Sequence, residues 1–406
     1  MRKIILIFAI LIGIQLIFSF LFPSYDDNSY WSKIEDFGLD VRYSFDSFDN
    51  SFIQKIRPLI SRYHMNLDVG GFLLLAHDFP RHYFEGNYTL LTRPVYSILV
   101  NWMSWPLHLI SDSYSMTFAA GLILNYILFL FTVYLFYSLL KKFISSRVAF
   151  LSSLLLIFSP LVHIYLVQPE TNIFGIFSII LSLYLLDNYF SSASLKKLII
   201  FSLVIGILLL GKKLFAISIF ILILAFFFKR YKEGIIFFVL HLLPLILWSF
   251  WITRVWGLPF YDDQVSRWGV GIWLFNIFSW PWHQTIKIFI DSIPQFVSSI
   301  FYSFLVIPIL FIPAGFKRLV LPRKNILIFG FIFSYFILFF ITQVYFLRYG
   351  FWLFPVIYPL AVLGIDATAD FLRKYSGRAV PLFYVLTYAL IIIISSLNIY
   401  KFVNYA

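Results

Sequence analysis

Long apolar runs separated by short polar connections set the organisation of this chain. Stretches near the roughly 17–25 residues needed to cross a bilayer as a helix fall at 4–22, 114–140, 148–166, 171–189, 197–211, 213–228, 235–252, 293–314, 325–343, 349–365 and 381–399, eleven in all. The neighbours 197–211 and 213–228 are divided by Gly211, Lys212 and Lys213. Joined, they would make one helix of about 32 residues and about 48 Å, too long for a single span, so the charged break predicts two helices. The first run follows Met1-Arg2-Lys3 and resembles a signal peptide in its basic start. Its apolar part, about 19 residues with no A-x-A-like site after it, predicts a retained signal-anchor helix. The segment PVYSILVNWMSWPLHLI at 94–110 is apolar but rich in Trp and Pro. It reads as a helix lying at the interface, where Trp and Tyr favour the headgroup level. The expected fold is an all-α integral membrane protein, one polytopic domain over 1–406. Two long loops stand out, 23–113 and the aromatic-rich 252–291.

Composition strengthens that picture. The chain is 61% hydrophobic, 22% aromatic and only 12% charged, against roughly 25% charged in soluble domains, so lipid is its main solvent. It has 0 cysteines, which excludes disulfides, thiolate metal sites and Cys nucleophiles. A net charge of +12 would suggest nucleic acid in a soluble protein. In a membrane protein it suggests cytoplasmic loops enriched in Lys and Arg. With the N-terminus inside, the connections at 141–147, 190–196, 229–234, 315–324 and 366–380 are cytoplasmic. That side then takes 17 of the 31 basic residues and only 4 of the 19 acids. The whole excess sits on one face, and no nucleic-acid partner is needed to explain it.

The polar groups able to carry chemistry fall on the opposite, external side. Asp68 lies in the first loop. Gln168 and Glu170 fall between the third and fourth spans, Lys212 and Lys213 between the fifth and sixth, and Gln343, Tyr345, Arg348 and Tyr349 between the ninth and tenth. Taken singly, each charge could be an anchor at a helix end, since charge costs roughly 2.5–3.5 kcal/mol only near the bilayer centre. Two carboxylates and three cations meeting on one face are harder to explain that way. Asp68 could also cap a helix starting at Val69, Asp being a preferred N-cap. His77, Asp78 and His82 carry ligand types at a spacing that suits a divalent metal, although a wetted interfacial face explains them more simply. A divalent metal is the one cofactor the sequence leaves open.

These residues also carry a family resemblance. DVGGFLLLA (Asp68, Phe72, Ala76), RPVYSIL (Arg93, Pro94, Tyr96), SPLVHIYLVQPETN (Pro160 to Glu170), LLLGKKLFA and LRYGFWLFPVIYPL (Arg348, Tyr349, Pro355, Pro359) follow one another in the order of motifs in GT-C-fold glycosyltransferases that use a polyprenyl-phosphate-linked sugar. The likeness is to the protein mannosyltransferase and aminoarabinose transferase branch and spans about residues 60–365. Val69 stands where that family often has a second carboxylate.

The resemblance implies a hexosyl- or pentosyltransferase working at the external membrane face with inversion at C1. Its partners would be a polyprenyl-phosphate sugar donor, a lipid, glycan or protein acceptor, and membrane lipids. Asp68 becomes the candidate base, with Glu170 as the alternative carboxylate, because an apolar site can raise a carboxylate's modest pKa toward that task. Lys212, Lys213 and Arg348 become candidates for holding the donor phosphate, Arg being able to bind it bidentately. Arg93 and Tyr349 join the substrate-binding set through the matched motifs. A transporter or flippase of lipid-linked sugars would use the same basic and aromatic cavity without a base. Against that reading, no internal repeat is visible and the ionisable groups lie at one face instead of mid-depth.

Overall fold

Proline and helix-capping serines decide where many of the apolar runs break. The computed structural model describes residues 67–81, 93–212, 215–256, 281–304, 306–318, 322–342 and 350–404. Within them every element is helical: α1 (Leu67–His77), α2 (Pro94–His108), α3 (Tyr114–Leu140), α4 (Ser146–Ile157), α5 (Pro160–Leu166), α6 (Thr171–Ser191), α7 (Leu195–Gly211), α8 (Phe215–Phe227), α9 (Tyr231–Trp256), α10 (Trp282–Phe304), α11 (Val306–Arg318), α12 (Pro322–Thr342), α13 (Phe354–Arg373) and α14 (Ala379–Asn404). Ser145 and Ser194 start α4 and α7 by accepting the backbone N–H three residues on, each at 3.3 Å, which satisfies a donor the helix leaves open.

Four of these helices, α3, α6, α9 and α13, are long and apolar enough to cross a membrane, and α4 with α5 makes a fifth if the bent pair is one span. The bend of that pair is 56° and falls at Ser159-Pro160, where proline disfavours a helical preceding residue. The run 148–166 is therefore a broken helix, not a straight one. The run 293–314 is divided between α10 and α11, and α10 begins earlier, at Trp282. The run 349–365 yields α13, shifted to Phe354–Arg373. The expected division at Gly211-Lys212-Lys213 is present between α7 and α8. The run 4–22 and most of the two long loops lie outside the described residues.

Burial separates centre from periphery. The apolar window of α13 is 67% buried, whereas that of α9 is only 17% buried. Ile235, Val239, Leu247 and Phe250 of α9 are exposed, an apolar surface that calls for lipid. The centre is tight where α13 meets α11. A Cβ on Gly364 would overlap the Phe311 carbonyl, and one on Gly315 would overlap the Leu360 carbonyl. This is the small-residue contact by which helices associate in lipid, where van der Waals fit replaces the hydrophobic drive. Buried hydroxyls turn back onto their own helices: Ser152, Ser153, Ser178, Ser202 and Thr132 each donate to the carbonyl four residues earlier at 2.7–2.9 Å.

One end of the bundle gathers ion pairs. Lys142 meets Asp187 at 2.5 Å, Arg230 meets Glu233 at 2.9 Å, Arg147 reaches Asp366 at 3.9 Å, and Arg318 pairs with Asp370. All eight residues belong to the strongly basic side of the charge distribution. Gly364→Ala is expected to push α13 off α11 and cost about 1–3 kcal/mol as overpacking. At Gly377 a Cβ meets nothing within 4 Å, so Gly377→Ala should leave the melting temperature in detergent nearly unchanged. Equal melting of the two variants would refute the close crossing.

Candidate functional site

The turn between α5 and α6 carries Gln168, Pro169 and Glu170, and its backbone is held from α3. Asn125 donates through Nδ2 to the carbonyls of Gln168 (2.8 Å), Tyr165 (3.2 Å) and Leu166 (3.4 Å). Its Oδ1 accepts from the Tyr96 hydroxyl of α2 at 2.9 Å. One turn before Asn125, Gly121 admits Pro169, since a Cβ there would stand 2.5 Å from the proline Cβ. With Gln168 and Glu170 both buried, this turn is a fixed internal structure.

Glu170 precedes α6 in extended conformation. Its Oε1 accepts a hydrogen bond from Asn172 Nδ2. Asn172 Oδ1 in turn accepts from Lys212 Nζ at 2.9 Å, and Thr171 Oγ1 accepts from the same ammonium at 3.0 Å. Lys212 Nζ also lies 5.7 Å from the Trp352 ring centre, within cation–π range. Lys212 and Glu170 are 3% and 2% exposed, so neither is an anchor reaching for water. Gly211 packs under the Phe174 ring, and Gly175 stands against the Lys212 side chain. A larger residue at Gly211 would overlap the Phe174 ring, and one at Gly175 would press on the Lys212 side chain. A carboxylate and a cation thus share one amide as a bridge inside an apolar bundle.

The helix α1, which carries Asp68 in its first turn, docks beside this cluster. Phe72 of α1 meets the Tyr96 ring edge-on at 5.7 Å, and Tyr96 meets Phe174 at 6.4 Å. Burial first, and then the Glu170 charge, hold the Tyr96 phenol well above its usual range, so it remains a neutral donor to Asn125. Asp68 lies in the first turn of α1, with Leu67 ahead of it in the helix, which removes it from the N-cap position before Val69. Its side chain lies outside the described residues. Arg93 sits at the N-cap of α2, half-buried, with its Nε donating to no partner. The structure therefore brings Glu170 and Lys212 into one hydrogen-bonded group, with α1 and α2 against it. Lys213, Arg348 and Tyr349 lie outside the described residues, although Trp352, four residues after Arg348, covers Lys212.

The other end of α1 and α2 holds a second polar group. His77 and Asp78 stand there as the sequence suggests, but their partners are His108 and Asp112; His82 lies outside the described residues. Burial pulls the His77 imidazole below its ordinary range; Asp78 opposes this, His108 adds to it and Asp112 opposes it. Sequence reasoning missed Asn172, Thr171, Asn125 and Trp352 in the first group and His108 and Asp112 in the second. Only the i,i+4 pair His108/Asp112 at a helix end was a local signal for any of them. Compared with protein-family models, curated proteins and solved structures, the chain finds no match.

Breaking a buried charge pair from one side costs about 3–5 kcal/mol. Lys212→Met and Glu170→Leu should each lower stability on that scale, while the double variant should lose clearly less than the sum. Strict additivity in a double-mutant cycle would show that Asn172 does not link the two charges.

Proposed function

We propose that the chain is a multi-pass membrane glycosyltransferase that moves a sugar from a polyprenyl-phosphate donor to an acceptor at the external membrane face. The observation that carries this reading is the buried Glu170–Asn172–Lys212 bridge beside α1, the helix that carries Asp68. A cation fixed by two oxygens and an aromatic face suits a phosphate, because its donors need no reorganisation when charge develops on the leaving group. Glu170 is occupied in holding Asn172, which favours Asp68 as the base. In this scheme Asp68 takes the proton of the acceptor hydroxyl or amine. The acceptor atom bonds to C1 as the C1–O bond to phosphate breaks, and polyprenyl phosphate leaves with Lys212, Lys213 and Arg348 meeting its charge. Eleven spans, with the N-terminus cytoplasmic, put the ion-paired end of the bundle inside and the Glu170–Lys212 group toward the outside.

Mass spectrometry of lipid extracted from the purified protein should identify a polyprenyl phosphate sugar. With that donor, Asp68→Asn should reduce turnover by roughly 10²–10⁴-fold, the usual contribution of a general base, while donor binding stays near wild type. Near wild-type transfer by Asp68→Asn would remove the base assignment. Orientation is open to a separate check, since the native chain has 0 cysteines. A single cysteine at exposed Ser111 should react with an impermeant thiol reagent in intact cells, and one at exposed Ser376 should not. Labelling at 376 from outside would invert the topology.

A further inference from the structure

Two imidazoles and a carboxylate converge where α1 and α2 end and α3 begins. His77 closes α1, His108 closes α2, and Asp112 lies in the connection to α3. One nitrogen of each ring rests on the same hydroxyl: His77 Nδ1 is 2.9 Å and His108 Nε2 is 3.0 Å from Thr117 Oγ1. The remaining nitrogens turn toward Asp112 Oδ1, His77 Nε2 at 4.0 Å and His108 Nδ1 at 3.7 Å. One ligand atom from each of the three residues lies within 4.8 Å of the others. Tetrahedral donors about 2.0–2.2 Å from a metal stand roughly 3.3–3.6 Å apart, so modest closure of the side chains completes the geometry. Asp112, 82% exposed, has room to close.

The surroundings match what a metal-bound histidine requires. Such a ring donates its other N–H to an outer acceptor, which fixes the tautomer. Thr117 Oγ1 has two lone pairs to accept from both rings and is fully buried on α3, so the acceptor is rigid. Asp78 Oδ1, 3.9 Å from His77 Nε2, stands next to the three as a further oxygen. Its other oxygen accepts from Tyr114 at 3.3 Å. Two imidazoles with carboxylate oxygen, and no thiolate, select a borderline first-row ion over magnesium or calcium, which prefer all-oxygen shells.

We propose that His77, His108 and Asp112 bind a divalent first-row metal ion, zinc by its donor set, which fastens the ends of α1 and α2 to the head of α3. The ion holds α1 at the end opposite Asp68, nine residues and about 14 Å along the helix. It acts on the placement of that helix, not on a reacting atom, and the site stands whether or not the chain is a transferase.

The test uses the full-length protein in detergent, stripped with chelator and titrated with zinc chloride. Stoichiometry is read by elemental analysis after equilibrium dialysis, and ligand type by X-ray absorption at the zinc edge. The wild type should take up one zinc per chain with a two-imidazole signature, and excess magnesium should not displace it. Asp112→Ala, at an exposed carboxylate, leaves the fold intact and should weaken binding. His77→Ala with His108→Ala should abolish it. Thr117→Val keeps all three ligands but removes the outer acceptor, and should weaken affinity roughly 10–100-fold, with Thr117→Ser restoring it. Melting curves of each metal-free variant separate loss of binding from loss of fold. Absence of saturable zinc binding by folded wild type would overturn the site. So would unchanged affinity in the double histidine variant, which would place the ion on His64, His82, His163, His241 or His283, or equal uptake of magnesium.

Discussion

A cation and a carboxylate persist inside an apolar helical bundle only when fixed dipoles meet both, and Asn172 meets both at once. Its carbonyl oxygen faces Lys212 and its amide nitrogen faces Glu170, so one side chain compensates two charges that water does not reach. Without such a bridge each buried ion would carry a desolvation cost of several kcal/mol. The rest of the architecture supplies the conditions for this bridge. Gly175 and Gly211 let α6 and α7 approach until Lys212 reaches Asn172. Asn125 fixes the turn that ends in Glu170, and Trp352 covers the ammonium. Because the bridge depends on close helix contact, the small residues at helix crossings belong to the site as much as its charges do.

The helices were legible in the sequence because apolar runs and their breakers act locally. Lys212 and Lys213 interrupt one run, and Ser159-Pro160 offers the physical reason for a bend in another. That bend was missed because hydropathy over a window averages across a single proline. The run 293–314 falls across α10 and α11, because a mean over a mostly apolar window does not mark where one helix ends and the next begins. Lys212 and Glu170 stand in one hydrogen-bonded group, but their burial did not follow from position in sequence. Burial here is set by Phe174, Trp352 and the glycine contacts, which join segments about 40 to 180 residues apart in the chain.

The partners of the charged residues were illegible for a related reason. Thr171, Asn172 and Asn125 are uncharged, and a sequence reading treats such Asn and Thr as tolerated core or cap residues. Their roles come from donor and acceptor geometry across helices. The pair His77 and Asp78 was visible as a candidate ligand group, and the structure adds His108 to it; His82 lies outside the described residues. His108 is 31 residues further on and arrives because α1 and α2 lie side by side, with Asn101 donating to the Ala76 carbonyl at 2.7 Å. Chain proximity does not reveal a partner that arrives where two short helices run together.

A single face of α3 organises both polar groups. Thr117, Gly121 and Asn125 recur every four residues and so lie along one stripe of the helix. Thr117 receives the His77 and His108 rings, Gly121 admits Pro169, and Asn125 holds the turn before Glu170 while accepting from Tyr96. Eight residues separate the two ends of the stripe, about 12 Å along the axis, with α1 and α2 spanning the distance. The polar group at the head of α3 and the buried charge bridge deeper in the bundle are therefore mechanically joined through rigid elements. Phe72 and Tyr96 on α1 and α2, and Asn125 on α3, are the contacts that lie between the two groups.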